Sequence, residues 1–278
     1  MSAALAAAPD APPIDRVAAY HVLTFSTAMV GNHQDAIAHA QLGLAAARES
    51  GDLSAIGLAQ YSVGLAAEHS GGGARAAGAY TEAVPLLREA GNTTFAAWTV
   101  ADLGDKLVWM GDLEKAVPML DEAISLLRQG EYFWGVAMAL GPRGYAALAQ
   151  KDLPLAAQFF SESIEAAREI ADERSVLGAV VGLVGVALAL NQPERTVRLL
   201  GAAQAAREGV GIGRQAHALH AERIEVDARV ALGKTAFDQA WSNGRTLTLE
   251  ETIAEGLALA AEVTAAQEAG PPTLRSLR

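Results

Sequence analysis

Apolar and small residues recur along the chain in a pattern that repeats every forty positions. A small residue stands at Ala36, Ala76, Ala116, Ala156 and Thr196, and four residues later comes Ala40, Tyr80, Leu120, Phe160 or Leu200. The i, i+4 spacing puts both on one face of a helix. Thirteen residues before each small position lie Leu23, Val63, Leu103, Arg143 and Leu183, which mark a preceding helix. Turn formers and N-caps separate the two helices at Gly31-Asn32, Gly71-Gly72, Gly111-Asp112, Lys151-Asp152 and Asn191-Gln192. A second turn closes each unit near Gly51-Asp52, Gly91-Asn92, Gly130, Ala171-Asp172 and Gly211. Each unit reads as helix A, short turn, helix B, short turn, and five of them make an array of αα-hairpins. One hairpin cannot bury its apolar face alone, whereas stacked neighbours share a continuous core.

The prolines mostly agree. Pro154 and Pro193 fall in the first turn of a B helix, where a missing N–H costs little. Pro85 and Pro118 lie further inside B helices and predict local kinks. Pro142-Arg143 fits worst, because Arg143 takes a slot held elsewhere by Leu or Val. Either helix A of the fourth repeat starts late or the arginine is a polar insertion; the late start is favoured.

Composition narrows the class. More than one residue in five is alanine, which favours helix and close helix contacts. With no cysteine, the chain has no disulfide framework, thiolate metal site or cysteine nucleophile. A net charge of −11 argues against a phosphate-binding surface, so no direct nucleic-acid contact is expected. The stretch from Met1 to Arg16 has no basic residues before its alanines and makes a poor signal peptide. The expectation is a cytoplasmic all-α protein. The length alone, at about 150 residues per domain, would suggest two domains. The repeats divide the chain instead into a flexible segment 1–14, five hairpins over 15–212, a helical cap over 213–268 and a flexible tail 269–278.

The spacing of small residue, turn and large apolar residue resembles the tetratricopeptide repeat in its roughly forty-residue variety. The resemblance covers about residues 17–212. Its landmarks are Gly64, Gly104 and Gly144 in the A helices and Ala36, Ala76, Ala116 and Ala156 in the B helices. It is weaker in the fifth repeat, where Thr196 replaces alanine. The resemblance implies a right-handed α-solenoid of about five hairpins.

A second resemblance lies beyond the repeats. Arg198-Leu199-Leu200-Gly201-Ala202-Ala203, a helical stretch from Gln215, Leu232-Gly233, Phe237, Ala240-Trp241, Gly244-Arg245 and Leu249-Glu250-Glu251 are similar to the C-terminal end of the sensor region in actinobacterial LuxR-type and related STAND-class regulators. Thr248 with Glu251 forms a capping box that opens the last helix, made amphipathic by Leu249, Ile253, Leu257 and Ala260. Phe237 and Trp241, one turn apart, are expected to pack against repeat five and close the solenoid. Neither the nucleotide-binding domain nor the helix-turn-helix of those regulators is read in this chain, so ATPase and DNA-binding activities are not implied. The resemblance implies a sensor or interaction module, the alternative being a stand-alone cytosolic adaptor for a peptide or partner protein.

Other motifs carry little chemistry. Gly233-Lys234-Thr235 imitates the tail of a phosphate-binding loop, but Ala228 stands where that loop needs glycine and a helix precedes it. Gly209, Gly211 and Gly213 follow a helix and lack a βαβ setting, so they read as a joint. The charge-free stretch Val176 to Leu190 is shorter than the about 20 residues a membrane span needs, and reads as a buried A helix. His217 and His220 share a helix face without an acidic partner to complete a metal set. No catalytic arrangement, metal site or cofactor site is read, and the chain is taken as a non-enzyme without cofactor.

The A helices of a curved hairpin stack line its inner face. In helix A of repeat three, Trp98, Asp105 and Trp109 fall at i, i+7 and i+11, apart from the core-facing Leu103 and Leu107. Related positions in other repeats hold His21, Phe25, Tyr61, His69 and Tyr145. Five of the fifteen aromatics thus fall on one ladder, which offers contact area with few rotors. Aromatics at helical spacing more often mark a core than a pocket, and a register error of one residue rotates a side chain by about 100°. Arg143, near Tyr145, is a candidate to pair with Asp105 or meet an anionic ligand. The partner expected here is a protein, a peptide or a small-molecule inducer. No membrane contact is expected, and self-association is left open.

Overall fold

The computed structural model describes residues 11–210 and 217–268, with side chains at 11–209 and 221–267. Among them it contains thirteen helices and no strand. The chain forms two compact units, Met1–Glu131 and Tyr132–Arg278.

The first unit holds α1 (Pro13–Met29), α2 (His33–Ser50), α3 (Leu53–His69), α4 (Gly73–Glu89), α5 (Thr93–Met110) and α6 (Leu113–Gln129). Each helix packs on the next, and α1 also touches α3. Consecutive helices pair as hairpins, α1 with α2, α3 with α4 and α5 with α6. The second unit holds α7 (Phe133–Ala149), α8 (Leu153–Glu169), α9 (Glu173–Ala189), α10 (Pro193–Val210), α11 (His217–Leu232), α12 (Lys234–Gly244) and α13 (Leu249–Glu268). Its first four helices pack in consecutive pairs, α7 with α8 and α9 with α10. The C-terminal helices are built onto them: α12 packs on α10, and α13 lies against α8, α9 and α10.

The turns have one construction. Residues 31, 51, 71, 91, 111, 131, 151, 171 and 191 all have left-handed φ, at twenty-residue intervals. In at least seven of these nine turns the next residue donates its N–H to a carbonyl five positions back, as Asp152 does to Ala147 at 3.0 Å. This is the closure of a Schellman motif, which satisfies carbonyls left over at the helix end. The same residue often caps the following helix: Asp52 accepts from the Ala55 N–H at 2.8 Å, and Asp152 from that of Leu155 at 3.1 Å. A helix of 17 or 18 residues plus a tight turn thus tiles the forty-residue repeat in halves. The turn expected at Gly130 lies one residue later: Gly130 has φ −86° and Glu131 takes the left-handed position.

Five of these positions are glycine, whereas Glu131, Lys151, Ala171 and Asn191 are not. An L side chain there costs about 1–2 kcal/mol. Ala171→Gly should therefore stabilise the second unit by about 1 kcal/mol, net of the glycine's extra unfolded-state entropy. Gly91→Ala should destabilise the first by a similar amount, both read by urea denaturation.

The hairpins interlock through one recurring contact. A Cβ on Gly64 would lie 2.3 Å from the ring of Tyr80, one on Gly104 2.7 Å from Leu120, and one on Gly144 2.6 Å from the ring of Phe160. Glycine on helix A makes room for a large side chain sixteen residues later on helix B. Phe160 is also approached by Gly182 of α9, where a Cβ would come within 2.2 Å. The corresponding slots of the first hairpin hold Thr24 and Ala40, a larger residue facing a smaller one.

The late start expected for helix A of the fourth repeat is not found. α7 runs from Phe133 in full register, carrying Pro142 in its interior, and Arg143 is buried within it. Its guanidinium lies over the ring of Phe159, 4.7 Å from the centroid, so a cation–π contact lets the arginine occupy an apolar slot. Pro85 and Pro118 lie inside α4 and α6, which continue through them. The Val176–Leu190 stretch forms most of α9, the interior helix of the second unit, with Val180, Leu183, Val184 and Val186 fully buried. Among the described residues no helix is long and apolar enough to cross a membrane.

The expectations for the C-terminal segment hold locally. Thr248 and Glu251 exchange the two bonds of a capping box, Thr248 N–H to Glu251 at 2.8 Å and Glu251 N–H to Thr248 at 3.2 Å. Phe237 stacks on Trp241 and packs against Val197 of α10, in the fifth repeat. Gly233, at φ 72°, separates α11 from α12, consistent with a helix stop. Gly211 and Gly213 lie outside the described residues, as do the side chains of His217 and His220.

Candidate functional site

The charged residues of α5 sit in the otherwise apolar half of the helix from Val100 to Met110. Asp102, Asp105 and Lys106 fall among Val100, Leu103, Leu107 and Val108. Packing α5 behind α4 and α3 gives these charges partners from three helices. Lys106 is only 6% exposed, and its ammonium lies 2.7 Å from Glu68 of α3 and 2.8 Å from Asp105. The other oxygen of Glu68 accepts from the Tyr80 hydroxyl at 2.8 Å, and the other oxygen of Asp105 from the Trp109 indole N–H at 2.9 Å. Both oxygens of each carboxylate are thus engaged, one by the shared lysine and one by an aromatic donor.

Asp102, half-buried, is the third carboxylate of the cluster and is hydrogen-bonded by Tyr61. Burial and the Glu68 charge push its carboxyl up to about 8, against the opposing pull of Lys106. Burial alone would lower the Lys106 ammonium, but Asp105 and Glu68 together raise it. Tyr61 is raised by burial and by Asp102, and Tyr80 by burial and by Glu68, so both phenols stay protonated.

A raised folded-state value for Asp102 means that the folded chain holds its proton where the unfolded chain has released it. Stability from this group is therefore present in acid and is lost as pH rises from the ordinary carboxylate range through about 8. Asp102→Asn removes that dependence. Since one pKa unit corresponds to about 1.4 kcal/mol, the variant should be at least about 1 kcal/mol more stable than the parent near pH 9 and close to it near pH 5. Thermal melts at the two pH values decide it, and equal slopes in parent and variant would refute it.

The cluster continues into an aromatic group. Tyr61 lies between Tyr80 and Phe95, with ring centroids 5.6 and 6.2 Å away, and Phe95 meets Trp98 edge-on at 5.0 Å. His21 of α1 packs on both Tyr61 and Phe95, and its Nδ1 is 2.9 Å from the Ser62 hydroxyl. Burial lowers the His21 imidazole, favouring its neutral form. The A helices α1, α3 and α5 therefore contribute one connected set of rings and charges.

The nine residues expected on a binding face divide. His21, Tyr61, Trp98, Asp105 and Trp109 belong to this connected set. Tyr61 is buried within it, whereas Trp109 is 40% exposed. Phe25 is 38% exposed on α1, and His69 is half-buried with its Nδ1 3.0 Å from the Leu65 carbonyl. Arg143 and Tyr145 are in the second unit and buried. The Tyr145 hydroxyl donates to the Gly178 carbonyl at 3.2 Å and its ring meets Phe160 edge-on at 5.0 Å, so it serves the packing of α7 on α8 and α9. Asp105, offered as a partner for Arg143, has its carboxylate occupied by Lys106 and Trp109.

Glu68, Asp102, Lys106 and Phe95 were not singled out in the sequence. The available signal was three charges within five residues of a helix half that is otherwise apolar from Val100 to Met110. Such charges must find one another or water. Among the described residues no group of His, Asp and Glu is arranged to hold a metal ion. A scan against protein-family models finds no match for the chain, and a search of curated proteins finds none.

Proposed function

We propose that the chain is a non-catalytic binding module of tetratricopeptide type, in which the A helices of the hairpins present the ligand-contacting face. The observation that carries this reading is the connected set of rings and charges on α1, α3 and α5, open to solvent at Trp109 and half-open at His21 and Trp98. The repeated fit of glycine against a large side chain at Gly64, Gly104 and Gly144 supports the tetratricopeptide likeness, as does the twenty-residue spacing of the turns. The C-terminal sequence likeness supports a role as the sensor region of a LuxR- or STAND-type regulator, with an inducer or partner protein as ligand. Occupancy would then favour one arrangement of the hairpins over another. A stand-alone adaptor for a peptide or protein is the alternative, favoured if the co-purifying species is a protein.

Native mass spectrometry of the purified chain tests the reading. A bound species is expected, and Trp109→Ala should diminish it while leaving the melting temperature nearly unchanged. A bound species unaffected by Trp109→Ala would remove the face from the reading, and nucleotide turnover by the chain would overturn it.

A further inference from the structure

The face described above is unevenly charged. Residues 1–131 hold seven Lys and Arg against fifteen Asp and Glu, a net −8 out of the whole chain's −11. On helices α1, α3 and α5 the only Lys and Arg are Arg16 and Lys106. Arg16 pairs with Glu49 of α2, and Lys106 is buried between Glu68 and Asp105. Facing these are three carboxylates, Glu68, Asp102 and Asp105, beside aromatic side chains that remain in contact with solvent. Lys106 faces both Glu68 and Asp105, and Asp102 beside them holds its proton below about pH 8, so the cluster is short of positive charge.

We infer that the A-helix face of the first unit docks a basic peptide, a lysine or arginine of the peptide meeting the Asp102 carboxylate and its flanking apolar side chains covering Trp98 and Trp109. This rests on the reading of that face as the binding face. The occupant follows from charge complementarity. A second cation beside Asp102 supplies the charge that the carboxylates lack, and a cation can also lie over an aromatic face. An acidic peptide would add like charge to a face that already repels it. Docking of the cation also favours ionised Asp102, so binding releases a proton at neutral pH and strengthens as pH rises toward 9.

The test uses the full chain and terminally blocked twelve-residue peptides in which every third residue is Lys, Gln or Glu among Leu and Ala. Calorimetry is run at low and physiological salt. The expected result is at least tenfold tighter binding of the Lys peptide than of the Gln peptide, no binding of the Glu peptide, and weakening by salt. Asp102→Asn, which keeps a side chain able to bond Tyr61, should cut the Lys-peptide affinity several-fold and abolish proton release, read from the dependence of the heat on buffer. Equal binding of the Lys and Gln peptides overturns the charge preference but leaves the binding face standing. Failure of all three to bind at millimolar concentration overturns the inference. Lys-peptide binding unchanged in Asp102→Asn places the cation elsewhere and overturns it too.

Discussion

Lys106→Met should lower the stability of the first unit by about 3 kcal/mol, read by urea denaturation at neutral pH. The methionine fills much the same space, so little of the loss is packing. What is lost is the only positive charge between Glu68 and Asp105, each of which lies under 3 Å from the ammonium. Those carboxylates are then left facing one another and Asp102 where solvent reaches them poorly. The outcome should depend on pH in a set direction. Without the lysine the ionised form of Asp102 loses the cation that favours it, so the loss is greater near pH 9, above the value of about 8, than near pH 5, where Asp102 holds its proton. Adding Glu68→Gln should recover part of the loss, because it removes one of the stranded charges. A Lys106→Met chain as stable as the parent at both pH values would show that the ion cluster contributes nothing net.

Gly244→Ala should destabilise the second unit by about 3 kcal/mol, although alanine is the better helix former by up to about 1 kcal/mol. Gly244 ends α12 where that helix crosses α10, and a Cβ there would lie 2.0 Å from the Arg198 carbonyl oxygen. The opposing atom belongs to a backbone and cannot rotate aside. Gly201 is held in the same way from the other helix, with the Trp241 carbonyl 2.7 Å from where its Cβ would be. The two backbones must part to admit a methyl group, disturbing the stack of Trp241 on Phe237. Urea denaturation should therefore be accompanied by altered Trp241 fluorescence in the native state. Gly104→Ala is the contrasting case, because Leu120 can give way at its side chain, and about 1 kcal/mol is expected there.

The sequence made the hairpins legible because each repeat carries its own punctuation. A left-handed residue and an N-cap every twenty positions leave little freedom in helix boundaries, even where glycine is replaced by Lys151 or Ala171. The slots of Gly64, Gly104 and Gly144 were legible for the same reason. Arg143 was misread, since a charge beside Pro142 looks like a helix boundary until Phe159 is seen to receive it. The site was only half legible. Helical spacing finds Trp98, Asp105 and Trp109 on one helix, but the partners that fix Lys106 come from α3, and nothing along the chain marks Glu68 as the acceptor. Tyr145 shows the converse limit: the spacing that placed it on an open ladder serves equally for a ring packed against Phe160.

The two units also differ in how far along the chain their contacts reach. In the first, helices pack on their immediate neighbours and α1 on α3, about one repeat away, while the His21 ring also reaches Phe95 of α5. In the second, α13 returns to α8, α9 and α10, and the pairing of Arg168 with Glu250 closes a separation of 82 residues. Closing longer loops costs more chain entropy before any contact compensates it. As the polypeptide leaves the ribosome, α1 to α6 can therefore condense pair by pair. Helices α8 to α10 must wait with an apolar surface uncovered until the last twenty-residue helix has been made.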